Sequence, residues 1–433
     1  MNTRQHIFGT LALVAALCTP SAQALHPKEH PDTFLVPQRA VVVSGDHSKA
    51  GSLLAILYDT SELHFTEPSA PRFLFLDREG KVAFGIGGYL KGTLQYDFDG
   101  STDTGSSFIT YDIPVPNNGE QRSQFYGNAN HSTIFLQLVG KSSRFGYYQM
   151  YIQTNFSGNG TTGYGLKLKQ AYLKVGYVTA GLTNSTFVDG AAGTPVIDDQ
   201  GPSGEMSRKN VLLRYAPRFS DHLSAAISIE MPSVSYTTDD AVKKINPRVP
   251  DIPLYLQYEW NGGKSHVRLS GLFRDLYYRN VASGKNCQKI GWAAQLSGII
   301  ALTPRLSLLY QGAYGRGYGA YVNDLSGFGM DLVYSGTSGK MEAPRMANFE
   351  LGARYNVTPS LFFAGTYSQA RTFGIAHLGA DTYRYGQYIS LSGFYDIFSD
   401  LRIGLQYLRG DRADYDRRHG HANSLMGMLQ YNF

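Results

Sequence analysis

The chain has 433 residues, a formal net charge of +5 and only 17% charged residues, with no run of five or more Lys or Arg, so we expect no nucleic-acid partner. Glycine (48), tyrosine (31) and phenylalanine (23) are abundant, whereas two cysteines, Cys18 and Cys287, exclude a disulfide framework and the usual zinc-site spacings. The mean hydropathy is −0.24, and no apolar segment is long enough for a membrane-spanning helix.

The first 24 residues have the layout of a secretory signal peptide. A short basic start precedes an apolar run over residues 7–18, and Ala22-Gln23-Ala24 offers a small-x-small cleavage site. The run is too short to span a bilayer as a helix. We therefore predict that residues 1–24 are removed after export; a buried N-terminal helix is the alternative.

Residues 25–80 differ in composition from the rest of the chain. Their first part is rich in proline and charge, residues 50–59 have the pattern of one short helix, and Pro68 and Pro71 interrupt any regular element that follows. We interpret this segment as a short periplasmic N-terminal extension of a membrane domain at residues 81–433.

From residue 81 onward, apolar and polar residues alternate with a period of two. In the first run Phe84, Ile86 and Leu90 lie on one face, and Lys91 and Thr93 lie on the other, which is typical of a strand with two different faces. About ten residues at a steep tilt cross a bilayer as a strand. Sixteen such runs can be placed, at residues 81–98, 131–140, 144–156, 164–175, 177–184, 207–216, 221–232, 252–260, 264–278, 288–301, 305–317, 345–357, 360–373, 384–398, 401–411 and 421–433.

The connections between these runs alternate between short and long along almost the whole chain. Turns near 141–144 and 261–263 are short, whereas segments such as 99–130 and 185–206 are long. Outer-membrane barrels have short periplasmic turns and longer external loops, whereas a soluble β-sandwich, the alternative, has no reason to alternate them. The last run ends on Phe433, similar to the C-terminal signal read by the barrel-assembly machinery. The sequence therefore predicts an all-β fold, a closed antiparallel transmembrane β-barrel of about 16 strands.

Strand parity assigns side chains to the lumen, because the apolar face of each strand must contact lipid. A lumen with more cations than acids raises the local concentration of anions; if the charges pair with one another, they only stabilise the barrel. The predicted pore-lining cations are Lys91, Lys167, Lys169, Arg208, Arg214, Arg268, Arg274 and Arg354. The inward acids are Asp97, Glu230, Glu259 and Glu350.

Two groups of residues resemble the DcaP-like outer-membrane porins. One group runs from Thr186-Phe187 through Pro195, Asp198 and Gly201-Pro202 to Arg208 and residues 211–215; the other is Gly87-Gly88-Tyr89-Leu90-Lys91 in the first strand. Gln153 and Asn155 stand where that family tends to place acidic residues, and this departure makes the lumen less acidic.

The resemblance implies a sixteen-strand trimeric barrel that admits small anions, dicarboxylates among them. The coiled-coil N-terminal segment of some family members is not carried over, since residues 25–80 contain no sustained heptads. The phosphate-selective porins are the nearest alternative, but they rely on a denser array of lysine and arginine in the pore.

The third long loop, residues 185–206, is compact and rich in small residues, and it carries Asp189, Pro195, Asp198 and Asp199. In sixteen-strand porins the third external loop folds into the barrel and narrows it. We predict the same constriction here; an external flap is the alternative.

We therefore expect a porin of the Gram-negative outer membrane, in which small hydrophilic solutes, small carboxylates foremost, diffuse passively through a homotrimer embedded in lipid. No Ser/His/Asp arrangement indicates catalysis, and no motif indicates a cofactor or metal. Two alternatives remain at this stage: a barrel enzyme that acts on lipid or peptide, and a structural or adhesive barrel that is plugged by residues 25–80.

Overall fold

The computed structural model describes residues 40–44, 50–100, 107–116, 123–158, 164–237 and 240–433. The predicted signal peptide and the start of the extension lie outside these ranges. None of the described helices is long and apolar enough to cross a membrane. Within these ranges the elements are β1 Val41–Ser44, α1 Gly51–Leu57, β2 Phe73–Leu76, β3 Val82–Asp99, β4 Gln124–Asn128, β5 Thr133–Ser142, β6 Gly146–Asn155, β7 Lys167–Val175, β8 Val178–Asn184, β9 Lys209–Tyr215, β10 Leu223–Glu230, β11 Tyr236–Thr237, β12 Val242–Lys244, β13 Ile252–Trp260, β14 Ser265–Asn280, β15 Asn286–Ala301, β16 Leu306–Arg316, β17 Leu332–Ser335, β18 Lys340–Glu342, β19 Arg345–Asn356, β20 Leu361–Phe373, β21 Tyr383–Asp396, β22 Leu401–Asp414 and β23 His419–Asn432, with 3₁₀ turns at Thr110–Asp112, Gly190–Ala192, Gly319–Tyr321 and Ala376–Leu378.

Sixteen antiparallel strands close into one barrel. Each barrel strand pairs with the next one along the chain, and β23 pairs with β3 to complete the ring, with Leu425 opposite Tyr96. The short strand β4 pairs with the upper part of β3, and β5 pairs with its lower part. Closure removes free edges, as a barrel in a bilayer requires.

The predicted fold is confirmed. Each of the sixteen predicted runs overlaps one barrel strand, and the ends differ by at most three residues. On β3 the side chains of Leu90 and Leu94 point outward and are 59% and 57% exposed, whereas Lys91, Gln95 and Asp97 are buried on the inner side. On β3 the period-two pattern therefore separates an outward apolar face from an inward polar face.

The described part of the extension adds strands at the turn end of the barrel. β2 pairs antiparallel with β3 from Phe73 to Leu76, and β1 pairs parallel with β2. The last residue, Phe433, exchanges two backbone hydrogen bonds with Gly88, so β2 continues on β3 below the point where β23 ends. Arg72 forms an ion pair with Asp400 at 2.5 Å, which ties the extension to the turn between β21 and β22.

Several long loops fold inward and fill much of the lumen. Loop 185–206 is almost wholly buried, and it contacts residues 107–116 and the long loop after β16. Phe108 donates its backbone N–H to Asp198 at 2.9 Å, and Asn323 donates its amide N–H to the carbonyl of Gln200 at 2.6 Å. The space that remains for a solute is decided by these inward loops.

Candidate functional site in the barrel lumen

Loop 185–206 crosses the lumen because side chains of the wall bind its backbone. Such an irregular segment must satisfy its N–H groups without a strand partner. The N–H groups of Thr186 and Thr194 donate to the carboxylates of Glu230 and Glu350, both at 2.8 Å. Further N–H donors bind Gln406, Ser368 and Gln311 on β22, β20 and β16. Two of the four predicted inward acids thus hold the loop rather than line an open pore.

Asp189 anchors the loop to β14 and β15. Its carboxylate lies 2.8 Å from Nε2 of His266, accepts the hydroxyl of Ser297 at 2.7 Å, and lies 3.8 Å from a guanidinium nitrogen of Arg268. Burial opposes ionisation, but Arg268 and His266 outweigh it and hold the pKa of Asp189 well below its usual range. The carboxylate therefore remains charged at any physiological pH.

These three groups do not form a hydrolase triad. In a triad, serine donates to histidine and histidine donates to the acid. Here Ser297 and His266 both contact the same oxygen of Asp189, and all three side chains are buried. Ser297 consequently donates to the acid and not to the histidine, so this cluster lacks the serine–histidine hydrogen bond of a triad.

Two further loop acids are also occupied. Asp199 forms an ion pair of 2.5 Å with Lys91, whose ammonium group also donates to the carbonyl of Ile197 at 3.0 Å. Asp198 accepts the backbone N–H groups of Phe108, Gln200 and Gly201. Burial raises the pKa of Asp198 to about 7, although these N–H donors lower it. Pro195 is buried within the same loop.

Arg274 is enclosed in a network next to the long loop after β16. It contacts Asp251 at 3.1 Å and Asp331 at 2.7 Å, and its side chain is 0% exposed. Tyr321 donates its hydroxyl to Asp251 at 2.9 Å. Arg274 therefore faces inward, as parity predicts, but it is separated from solvent and holds loop 317–344 against the wall.

A polar cavity of about 140 Å³ remains between loop 185–206 and the wall of β3 and β5–β9. Its wall side carries Gln153, Asn155, Lys169, Arg208 and Lys209, among other polar residues. The loop side contributes Asp198, Asp199, Gly201 and Glu205, and the N-terminal extension contributes His64, Thr66 and Glu67.

Lys169 and Arg208 are the two cations of this cavity that have no carboxylate within ion-pair distance among the described residues. Arg208 donates to the side-chain oxygen of Asn210 at 2.9 Å. The register between β6 and β7 shifts between Gln153 and Thr154, and Lys169 is the extra residue of this bulge. A bulge re-aims side chains, so that Lys169 and the adjacent Gln170 both face the lumen.

The remaining predicted cations have different surroundings. Arg214 donates to the hydroxyl of Thr186 at 2.7 Å, at the start of the loop. Arg354 lies 4.1 Å from the ring centre of Phe362 and donates to Asn356 at 3.1 Å. Lys167 is exposed at the loop end of β7. These three are therefore outside the cavity, whereas Lys169 and Arg208 are in it.

The extension supplies cavity residues that sequence reasoning missed. Glu67 forms an ion pair of 2.9 Å with Lys209, and Nε2 of His64 lies 3.0 Å from Glu205. Burial opposes the charge of both groups, but these partners outweigh it, so that the pKa of Glu67 is lowered and that of His64 is raised. Proline-rich composition gave no signal that residues 59–71 enter the barrel. Among the described residues, no group of three His, Cys, Asp or Glu could hold a metal ion.

Comparisons with known proteins agree with this architecture. A family model described as "Porin subfamily" matches residues 85–407. The outer-membrane channel DcaP of Acinetobacter baumannii superposes with a TM-score of 0.71 at 16% identity, over 82% of this chain and 98% of that one. The family model, together with this shared fold, confirms the porin resemblance that the sequence motifs indicated.

Two more distant structures share the same fold. The anion-selective porin from Comamonas acidovorans has a TM-score of 0.52 at 9% identity, over 82% of this chain and all of that one. Salmonella typhi OmpF, in a complex with daunomycin, has a TM-score of 0.52 at 14% identity, over 83% of this chain and 99% of that one. No curated protein matches the sequence.

Proposed function

The chain belongs to the porin subfamily of bacterial outer-membrane channels, and we propose that it passes small hydrophilic solutes with a preference for anions, small carboxylates foremost. The observation that carries this preference is the charge balance of the lumen cavity. Glu67, Asp199 and Glu205 each lie beside a cation, and burial raises the pKa of Asp198 to about 7, whereas Lys169 and Arg208 have no carboxylate partner among the described residues.

Unpaired cations in a narrow, low-dielectric passage attract anions. Inside the passage the low-dielectric wall screens these cations less than bulk water would. Glu67, Asp199 and Glu205 oppose this effect only weakly, because Lys209, Lys91 and His64 respectively lie beside them. The cavity therefore presents two cations to a solute, and a small dicarboxylate matches that charge.

The proposal includes no chemical step. The family and the similar channels point to passive transport. In the Ser297, His266 and Asp189 cluster described above, the serine donates to the acid instead of the histidine, which does not suit nucleophilic catalysis. The outward apolar belt of the strands contacts lipid. A homotrimer is proposed from the resemblance to DcaP-like porins, and chemical cross-linking of outer membranes tests it.

Two measurements test the function. In a planar bilayer with a KCl gradient, the purified protein should give stepwise conductance. Its reversal potential should have the same sign as the equilibrium potential of chloride. In proteoliposomes, succinate should enter faster than succinamide, which has the same size and no charge. Equal rates for the two solutes, or cation selectivity, would contradict the proposal.

A further inference from the structure

Residues 59–71 of the N-terminal extension cross the lumen below loop 185–206. The ring of Phe65 packs on β20 and β21, with its centre 6.0 Å from that of Phe362 and 5.0 Å from that of Phe394. Two residues later, Glu67 reaches β7–β9, which lie on the opposite side of the closed barrel. The segment is therefore held at both walls of the passage.

The carboxylate of Glu67 occupies a site that is built for a carboxylate. Its Oε1 accepts hydrogen bonds from the ammonium group of Lys209 at 2.9 Å, from Nε2 of Gln170 at 3.0 Å and from Nδ2 of Asn184 at 3.1 Å. The three donors come from three adjacent strands, and the Glu67 side chain is 6% exposed. Donors that converge on one oxygen in a buried position form a strong charge-assisted site.

The site needs an anion for its own stability. Among the described residues Glu67 is the single carboxylate that forms an ion pair with Lys209, so that removal of Glu67 would leave a half-buried ammonium group without compensation. The unpaired Lys169 and Arg208 line the same cavity. A solute with two carboxylates could therefore place one on Lys209 and the other near these cations.

We propose that residues 59–71 are an internal plug, and that Glu67 is an intramolecular stand-in for the solute at a carboxylate subsite formed by Gln170, Asn184 and Lys209. This inference rests on the proposed function, since it names the binding subsite within the same lumen. A solute carboxylate enters the subsite by displacing Glu67, and the plug leaves the passage when it does so.

Competition with a tethered group has a measurable consequence. A ligand on a short tether has an effective concentration on the order of millimolar or more, so that Glu67 excludes free carboxylates below that range. Removal of Glu67 should therefore increase both the conductance and the apparent affinity for a dicarboxylate.

The first test compares Glu67→Ala with the wild-type full-length mature protein in planar bilayers, with succinate as the probe. The variant should conduct several-fold more, and the succinate concentration that half-blocks its current should fall by about tenfold or more. In Glu67→Ala with Lys209→Gln, this gain in succinate affinity should disappear. Glu79→Gln is the matched control, because Glu79 is an exposed acid of the same extension, and it should leave both values unchanged.

The outcomes separate the two claims. An anion-selective channel whose conductance and succinate block do not respond to Glu67→Ala would overturn the plug, while the proposed function would stand. A conductance gain without a gain in succinate affinity would overturn the carboxylate subsite. No anion selectivity in any variant would refute the proposed function itself.

A cross-link tests the movement independently. A Cβ placed on Gly190 would lie 3.7 Å from the Cβ of His64, which suits a disulfide. His64→Cys with Gly190→Cys, in a Cys287→Ser background, should conduct poorly when oxidised and several-fold better after reduction. Equal conductance in the two states would show that the segment does not gate the pore.

Discussion

The barrel wall uses its inward cations in two different ways. On β3 and on β14, the inward cations Lys91, Arg268 and Arg274 are buried beside carboxylates of inward loops. On β7 and just before β9, Lys169 and Arg208 face the cavity without such a partner among the described residues. One set attaches loops to the wall, and the other set remains available to a solute.

The difference shows that inward direction alone does not make a cation part of a selectivity filter. An ion pair with a loop acid cancels most of the field that the cation would exert on a passing ion. The count of inward charges therefore overstates the anion preference, and the charges that remain unpaired decide it.

Arg274→Ala should have the largest effect, and that effect should be on stability. It leaves Asp251 and Asp331 buried without their cation, a change that typically costs about 3–5 kcal/mol. Urea unfolding in lipid vesicles, followed by the fluorescence of Trp260 and Trp292, measures the loss. Arg279→Ala on the same strand is the control, because Arg279 is exposed, and it should change the free energy of unfolding by less than about 0.5 kcal/mol. Equal effects of the two variants would contradict the anchoring role.

Asp189→Asn should convert a paired cation into an available one. It removes the negative charge beside Arg268 and His266, so that the reversal potential should shift toward stronger anion selectivity, while the free energy of unfolding falls by about 1–3 kcal/mol. Asp221→Asn, in an exposed turn, is the matched control. An unchanged reversal potential, or a shift toward cations, would show that Arg268 does not attract permeating anions.

The effect of Asp189→Asn should not depend on pH between 5 and 8. The folded-state pKa of Asp189 is depressed. The stability that its ionised carboxylate contributes is therefore complete above the ordinary aspartate pKa and is lost only as the pH falls through the lowered value. The reversal potentials of the wild-type protein and the variant, measured at pH 5, 6.5 and 8, should therefore differ by a similar amount.

Much of the fold follows from the sequence, since period-two alternation and loop length are local properties that a single chain displays. The pairing of charges does not, because partners such as Lys91 and Asp199 are 108 residues apart. The bulge that turns Lys169 and Gln170 to the same side also breaks simple parity. Residues 59–71 carry no periodic pattern, so the sequence offers a plug by residues 25–80 only as an alternative and does not indicate which of these residues enter the lumen.

The contact between the plug and the loop should respond to pH. His64 lies against Glu205 and also faces Glu67 and Glu350, and its raised pKa means that protonated His64 favours the inserted segment. This stabilisation is present below the ordinary histidine pKa of about 6.5 and is lost as the pH rises through the raised value. Conductance should therefore increase a few-fold between pH 6 and pH 8.5.

His64→Gln isolates this effect from other groups that titrate in the same range, such as Asp198. The variant should conduct more than the wild-type protein at pH 6 and lose most of the pH response. A pH response of the same size in His64→Gln would assign it to Asp198 or to another group.

The reversal potential of Lys169→Gln with Arg208→Gln in a KCl gradient shows whether the two cavity cations select anions. Each single variant should reduce the anion preference in part, and the double variant should bring the reversal potential close to zero or reverse its sign. Lys264→Gln with Arg305→Gln removes two exposed turn cations and should leave the wild-type value. If the double variant of the cavity retains the wild-type anion selectivity, Lys169 and Arg208 do not select the solute.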